Sequence, residues 1–415
     1  MGFYSSLPCL VTTALLLGLA STPLLRSADA PPTDLAVRVG TIDGLRGLLA
    51  LAVFFHHAAI WHQYIIIGEW CPPPSRFYAN LGPAGVSMFF MITGYLFWSQ
   101  MLKTRGRPNF LKLYVGRLFR IVPLYLVLAV IVLVSVGFAT HWRLNESPFS
   151  VSNEVARWLA GGVLDVPDVN AYHASLISAS VTWSLSYEWM FYASLIVTAF
   201  FARNPLAGFL LPLVGLITVI LLFYCGYRLF EAKIALLFSV GMIAAAVREP
   251  LASAALNGIP QWALSAVAIG AAALAVMGFD GMYGVAPELL LGVGFLLIVS
   301  GATLFGLLLT RPARRLGDIS YGIYLLQGPV LLLAFSFPAL RVASAASPAV
   351  HWSLAAIAAA ALTAFATLTH SLVERPGIQA GRWASARINS ALRGRVAVSE
   401  QSVRVDPEQP QPQSF

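Results

Sequence analysis

The chain has 415 residues, of which 58% are hydrophobic and only 11% are charged. Soluble domains carry about 25% charged residues, so this composition excludes a soluble enzyme and describes a polytopic membrane protein. The formal net charge of +8 would suit nucleic acid, but the cations sit beside apolar runs, where the positive-inside rule accounts for them and no nucleic-acid partner is expected.

The first apolar run, Leu7 to Leu25, is about long enough to span. Ala28-Asp29-Ala30 behind Arg26 looks like a leader's cleavage site, yet no Lys or Arg precedes the run as a signal peptide requires. An extra helix with its N-terminus outside is the favoured reading; a cleaved leader or a misassigned start is the alternative. Ala30 to Val37 reads as a short Pro-containing linker.

The second run, Val39 to His62, carries Asp43, Arg46, His56 and His57. Ionisable groups at membrane depth are costly and by default mark a site. At ~100° per residue, the eleven steps from Arg46 to His57 end ~20° past three full turns, so both lie on one face, roughly 16 Å apart along the axis. Asp43 falls ~40° from His57 on that face and His56 roughly 80° to one side. The alternative is an interfacial Asp43–Arg46 pair with a buried structural histidine.

Further spans are expected at about 84–102, 113–139, 184–202, 205–225, 232–247, 259–277, 287–310, 317–339 and 350–372, making ten with the second run. If that run starts in the cytoplasm, 20 of the 26 lysines and arginines fall inside; Arg76, Arg143, Arg157, Arg228, Lys233 and Arg341 fall outside. So strong a bias supports both the count and the orientation. Two outer loops are long, Gln63 to Pro83 and His141 to Val181; the second holds Trp142, Trp158, Asp165, Asp168 and His173 and a helical piece around 155–164. Their aromatics read as interfacial anchors or as a sugar-stacking surface. The organisation is therefore an N-terminal segment 1–38, a membrane unit 39–376, and a tail 377–415 that turns basic and then Pro/Gln-rich, expected to be disordered and cytoplasmic.

Four more stretches carry candidate chemistry. In Gly85 to Trp98, Gly85, Ser87 and Gly94 suggest close helix packing, with Thr93 and Tyr95 as possible lining residues. Arg117 and Arg120 share a face one turn into a span and, with Lys112, either snorkel or clamp phosphates. Glu188 lies among Trp183, Tyr187, Trp189 and Tyr192, as a structural carboxylate or one that orients an imidazole or a sugar hydroxyl. Asp318 and Ser320 read as a helix cap before Tyr321 and Tyr324, and Glu374-Arg375 reads as an interface pair. Cys9, Cys71 and Cys225 form no metal spacing, and neither a Gly-rich phosphate loop nor a nucleophile elbow occurs.

Taken together, DGLRG (43–47) with Arg46-x10-His57, FFMITGYL (89–96), the Arg117/Arg120 pair, WSLSYEWMFY (183–192), LGDISYGIYLL (316–326) and VERP (373–376) resemble, in order, bacterial acyltransferase family 3. These are integral-membrane O-acyltransferases of surface sugars and some small molecules. The resemblance implies an all-α, ten-helix membrane bundle in the bacterial inner membrane, with the first apolar segment outside it. It implies acyl-CoA, often acetyl-CoA, as donor substrate, no permanently bound cofactor, and a carbohydrate or lipid-linked carbohydrate acceptor at the periplasmic face. On that basis His57 is the base or acyl carrier; Asp43 and Arg46 complete the catalytic set, with Asp43 expected to pair with Arg46 rather than orient His57, and Glu188 is the candidate partner of His57 on the outer side. Arg46, Arg117 and Arg120 would hold the CoA phosphates; Trp183, Tyr187, Ser320 and Tyr321 would line the substrate. The family often has His where this chain has Gln327, and Gln cannot serve as acid or base, so that position is left out of catalysis. The rival class is a proton-coupled transporter or exporter of a small acid or sugar, with the buried charges as a relay.

Overall fold

A computed structural model of the chain describes residues 2–29, 39–227, 229–252 and 256–403. The expected linker 30–37, Arg38, Arg228, and the Pro/Gln-rich end from 404 lie outside the described residues. Those described are almost entirely helical. Helix α1 is Leu7–Ser21, α2 Gly40–Ile67, α3 Arg76–Lys103 and α4 Phe110–Ala139. After α5 (Pro148–Leu159) come α6 (Trp183–Thr198), α7 (Pro205–Tyr224), α8 (Phe230–Pro250), α9 (Gln261–Gly278) and α10 (Val285–Val299). The chain ends with α11 (Arg311–Asp318), α12 (Ser320–Ala334), α13 (Pro338–Ala346), α14 (Pro348–Thr369) and α15 (Arg375–Val403).

Among the described residues, seven helices are long and apolar enough to cross a membrane: α2, α3, α4, α7, α8, α9, and one running from Pro348 through α14 to Ser390. The pair α11 and α12, bent by 65° at Ile319, counts as an eighth if it is one broken span. The two remaining expected spans are present as the shorter helices α6 and α10, of 16 and 15 residues. At 1.5 Å per residue such helices reach only ~24 Å, less than a ~30 Å hydrocarbon core. For α6 the reason is visible. The segment before it folds inward, and a five-residue helical turn, Ala174–Ser178, packs its backbone against Gly328 of α12. Helix α6 therefore starts at depth rather than at an interface.

Helix α2 is the centre of the bundle. A Cβ at Gly44 would collide with the carbonyl of Leu308, one at Gly47 with Leu316 and Gly317, and one at Gly317 with the carbonyl of Asp43. The glycines of DGLRG and LGD thus bring α2 and α11 to backbone contact. Close approach of this kind is how membrane helices gain packing energy without a hydrophobic drive. On α3, Gly94 is pressed against the carbonyl of Phe238 in α8, in line with the packing reading of that stretch.

Helix α1 packs on the core at both of its ends. At one end Tyr78 Oη donates to Ser5 O at 2.7 Å, Trp352 Nε1 donates to Phe3 O at 2.8 Å, and Phe3 stacks on His62. At the other, Arg315, only 2% exposed, donates to the terminal carbonyls Ala20 O and Thr22 O and to the Asp29 carboxylate. Arg311 also pairs with Asp29, and Arg375 donates to its backbone oxygen.

Two expectations need correction. Ser320 does not cap a helix: its Oγ is buried without a hydrogen-bond partner, and the chain bends at Ile319 instead. Nor is the start of the tail unstructured, because α15 continues as a helix to Val403. Gly377 and Gly381 seat it against Phe119 of α4, which supplies the burial that its basic composition hid.

Candidate active site

His57 sits on α2, eleven residues beyond Arg46, and is 9% exposed. Its Nδ1 lies 3.2 Å from Gln327 Oε1 on α12. An amide oxygen only accepts, so Nδ1 carries a proton, and in the neutral ring Nε2 is the nitrogen with the lone pair. The amide is held in that orientation from behind, since Gln327 Nε2 donates to Tyr324 O at 2.8 Å. Trp70, from the short turn after α2, stacks over the His57 ring at 6.2 Å. His56 meets it edge-on at 5.0 Å and donates from Nδ1 to Tyr78 O at 2.7 Å.

His56 and His57 line a cavity of roughly 710 Å3 whose walls include Trp70, Cys71, Trp183, Tyr283 and Tyr324. Part of the wall is not helix. Ala179, Ser180 and Val181, from the infolded segment, close one side. Ala179 and Ser180 both hold left-handed backbone, at φ 51° and 55°. Non-glycine residues there carry strain of about 1 kcal/mol or more, a cost that persists where the surrounding structure imposes it.

A second cavity, of roughly 900 Å3, lies toward the Arg46 end of α2. Arg46, Arg117 and Arg120 line it together with Glu188, Tyr192, Ser320 and Tyr321. The Arg117 guanidinium sits over the Phe97 ring at 4.4 Å, a cation–π contact that fixes it without consuming its donors. Tyr192 Oη donates to Glu188 Oε2 at 2.8 Å, and Tyr321 Oη donates to Ile121 O at 2.9 Å. Three guanidiniums from two helices, in a half-buried chamber, suit a polyanion with several phosphate oxygens.

The expected site residues therefore divide. Arg46, Arg117, Arg120, Ser320 and Tyr321 come together in the arginine chamber; His57 and Trp183 share the other cavity. Glu188 is corrected: it faces the arginines, not His57, because α6 begins at depth and carries its sixth residue further from the His57 end. Asp43 lies among the lining residues of neither cavity; its backbone abuts Gly317. Tyr187 is likewise outside both, packed in an aromatic cluster with Phe90, Trp183 and Phe230. Thr93 lines the arginine chamber, whereas Tyr95 accepts from Arg248 at 3.0 Å. Trp158 is fully buried within its loop, its Nε1 donating to Pro167 O, and so offers no stacking face.

Gln327, Tyr324 and Trp70 went unassigned from sequence. A signal existed for two of them: Ser320, Tyr324 and Gln327 are spaced i, i+4, i+7, one polar stripe on an apolar helix.

A family model described as an acyltransferase domain matches residues 39–372, most of the chain. The match begins one residue before α2 and leaves α1 outside it. No curated protein and no solved structure matches the chain significantly.

Proposed function

The chain belongs to this acyltransferase family, and from that premise we propose that it moves an acyl group, acetyl in the simplest case, from acyl-CoA to a hydroxyl of a sugar or glycolipid. The observation that carries the reading is the pairing of a three-arginine chamber with a cavity that presents an imidazole held at Nδ1 by Gln327. The diphosphate and ribose phosphate of CoA need fixed cations, which Arg46, Arg117 and Arg120 supply. The pantetheine arm then points along α2 toward His57. In the transfer, His57 Nε2 takes the proton of the acceptor hydroxyl as its oxygen attacks the thioester carbonyl. The C–O bond forms, the C–S bond breaks, and the proton passes to the departing sulfur to give free CoA. Gln327 is a positioning residue: it keeps the proton on Nδ1 and so leaves Nε2 as the basic nitrogen. Trp70, Trp183 and Tyr283 give the acceptor cavity the flat apolar walls on which a sugar ring stacks.

The protein spans a membrane several times. We place it in the bacterial inner membrane with the arginine chamber and α15 toward the cytoplasm, where acyl-CoA is found. The lean of Lys and Arg to that side supports this orientation. The test is release of free CoA from acetyl-CoA by membrane vesicles bearing the full chain. His57→Ala should slow it by about 10²–10⁴-fold, the usual worth of a general base, with acetyl-CoA affinity unchanged. A rate retained in that variant removes His57 from the chemistry. Mass spectrometry of surface glycans from cells with and without the gene then shows the acceptor and the added acyl mass together.

A further inference from the structure

We propose that the side chain of Tyr324 is the gate between the two cavities and that, with Val86, it sets the bulk of the acyl group that can pass. This rests on the acyl-transfer reading above and adds a specificity determinant to it.

Val86 on α3 and Tyr324 on α12 are the two residues that line both cavities. Any acyl group travelling from the arginine chamber to His57 must therefore pass between or beside them. The Tyr324 ring stands at the border of both cavities. Its edge packs against Phe89 at 5.9 Å, and its hydroxyl reaches across to the start of α6, 3.0 Å from Val181 O and 2.8 Å from Ser184 Oγ. The phenol thus bridges α12 to the infolded segment that walls the His57 cavity.

Two features make this bridge a latch. First, Ser184 Oγ also lies within donating distance of Val181 O, at 3.2 Å. When the phenol swings away, its two partners remain bonded to each other, so only the phenol hydroxyl has to find a new partner. Second, Gln327 is held by the backbone oxygen of Tyr324, not by its ring. The ring can change rotamer while the His57–Gln327 alignment stays in place. The same residue therefore fixes the base and gates the donor with separate atoms. A closed ring also keeps water in one cavity from reaching a thioester waiting in the other.

The experiment compares acetyl-, butyryl- and octanoyl-CoA as donors for the full chain in membrane vesicles, following His57-dependent release of CoA, with CoA affinity measured on the purified protein. Tyr324→Ala should raise the butyryl-to-acetyl rate ratio by about tenfold or more, the scale that one or two methylenes command in a fitted passage, while CoA affinity holds within about twofold. Val86→Phe should cut acetyl transfer by about tenfold with CoA affinity again unchanged. Tyr324→Phe, the mildest change, keeps the ring and loses the latch, and should speed CoA release with water as acceptor. The gate is overturned by an unaltered chain-length ratio in Tyr324→Ala, or by wild-type acetyl transfer in Val86→Phe. Wild-type vesicles that release no His57-dependent CoA would instead bring down the acyl-transfer reading itself.

Discussion

The two cavities are walled by the same helices and yet are chemical opposites. α2 contributes Arg46 to one and His57 to the other; α6 contributes Glu188 to one and Trp183 to the other; α12 contributes Tyr321 to one and, through Gln327, the orientation of His57 to the other. The arginine chamber is built for charge. The His57 cavity holds an imidazole among rings and loop backbone. The contrast teaches that depth along each helix, rather than the choice of helix, divides the labour: one turn presents a guanidinium, and three turns further on the same helix presents an imidazole.

Separable roles predict separable defects. The largest expected effect is on the donor side: Arg117→Ala with Arg120→Ala should weaken CoA binding by about 100-fold, the loss of two charge-assisted contacts, without changing the chain-length preference. Isothermal titration with CoA checks it, and unchanged affinity removes the clamp. Next is Gln327→Ala, which should lower kcat by about tenfold or more with little change in the KM for acetyl-CoA. Its pH–rate profile should shift, because Nδ1 loses its acceptor and the tautomer is no longer fixed. A fall in donor affinity instead would mean that the two cavities are not independent.

A smaller effect is expected from Asp29, which touches neither cavity but ties α1 to α11. Arg315, hydrogen-bonded to Asp29, holds its carboxyl well below the usual carboxylate range. A depressed carboxylate stabilises the fold above its unfolded pKa of about 3.9 and loses that contribution as pH falls through the folded value. Asp29→Asn should therefore lower the melting temperature by about 2–4 °C or more at neutral pH. The gap to wild type should stay constant from pH 8 to 5 and narrow only below about pH 3.9. A gap that narrows near pH 6 would assign it to another group. The smallest effect is Ala179→Gly, which frees a left-handed residue in the His57 cavity wall and should stabilise by about 1 kcal/mol at most. Thermal melts followed by tryptophan fluorescence would register it.

Hydropathy made the helices legible because each apolar run is long relative to the error in its ends. On α2, Arg46 and His57 line two different cavities. What failed was depth on other helices. Glu188 looked like an outer-side residue because a span was assumed to start at an interface, and nothing in WSLSYEWMFY reports that the preceding loop dives inward. Gln327 was set aside for lacking a titratable group, which judged it by its own chemistry and missed its service to His57, 270 positions away in sequence. The Asp29 clamp is hidden for the same reason: Arg315 finds its carboxylate 286 positions away in sequence, outside the membrane unit.

The infolded segment 174–181 has one further consequence. The donor chamber is enclosed entirely by membrane helices, where a substitution disturbs the packing of several neighbours at once. The His57 side is finished by a loop, anchored at Gly328 and at the Tyr324 hydroxyl. Grafting a different loop between α4 and α6 should therefore redirect the enzyme to another alcohol while its appetite for acyl-CoA stays as it was, which is how one scaffold could come to decorate many different glycans.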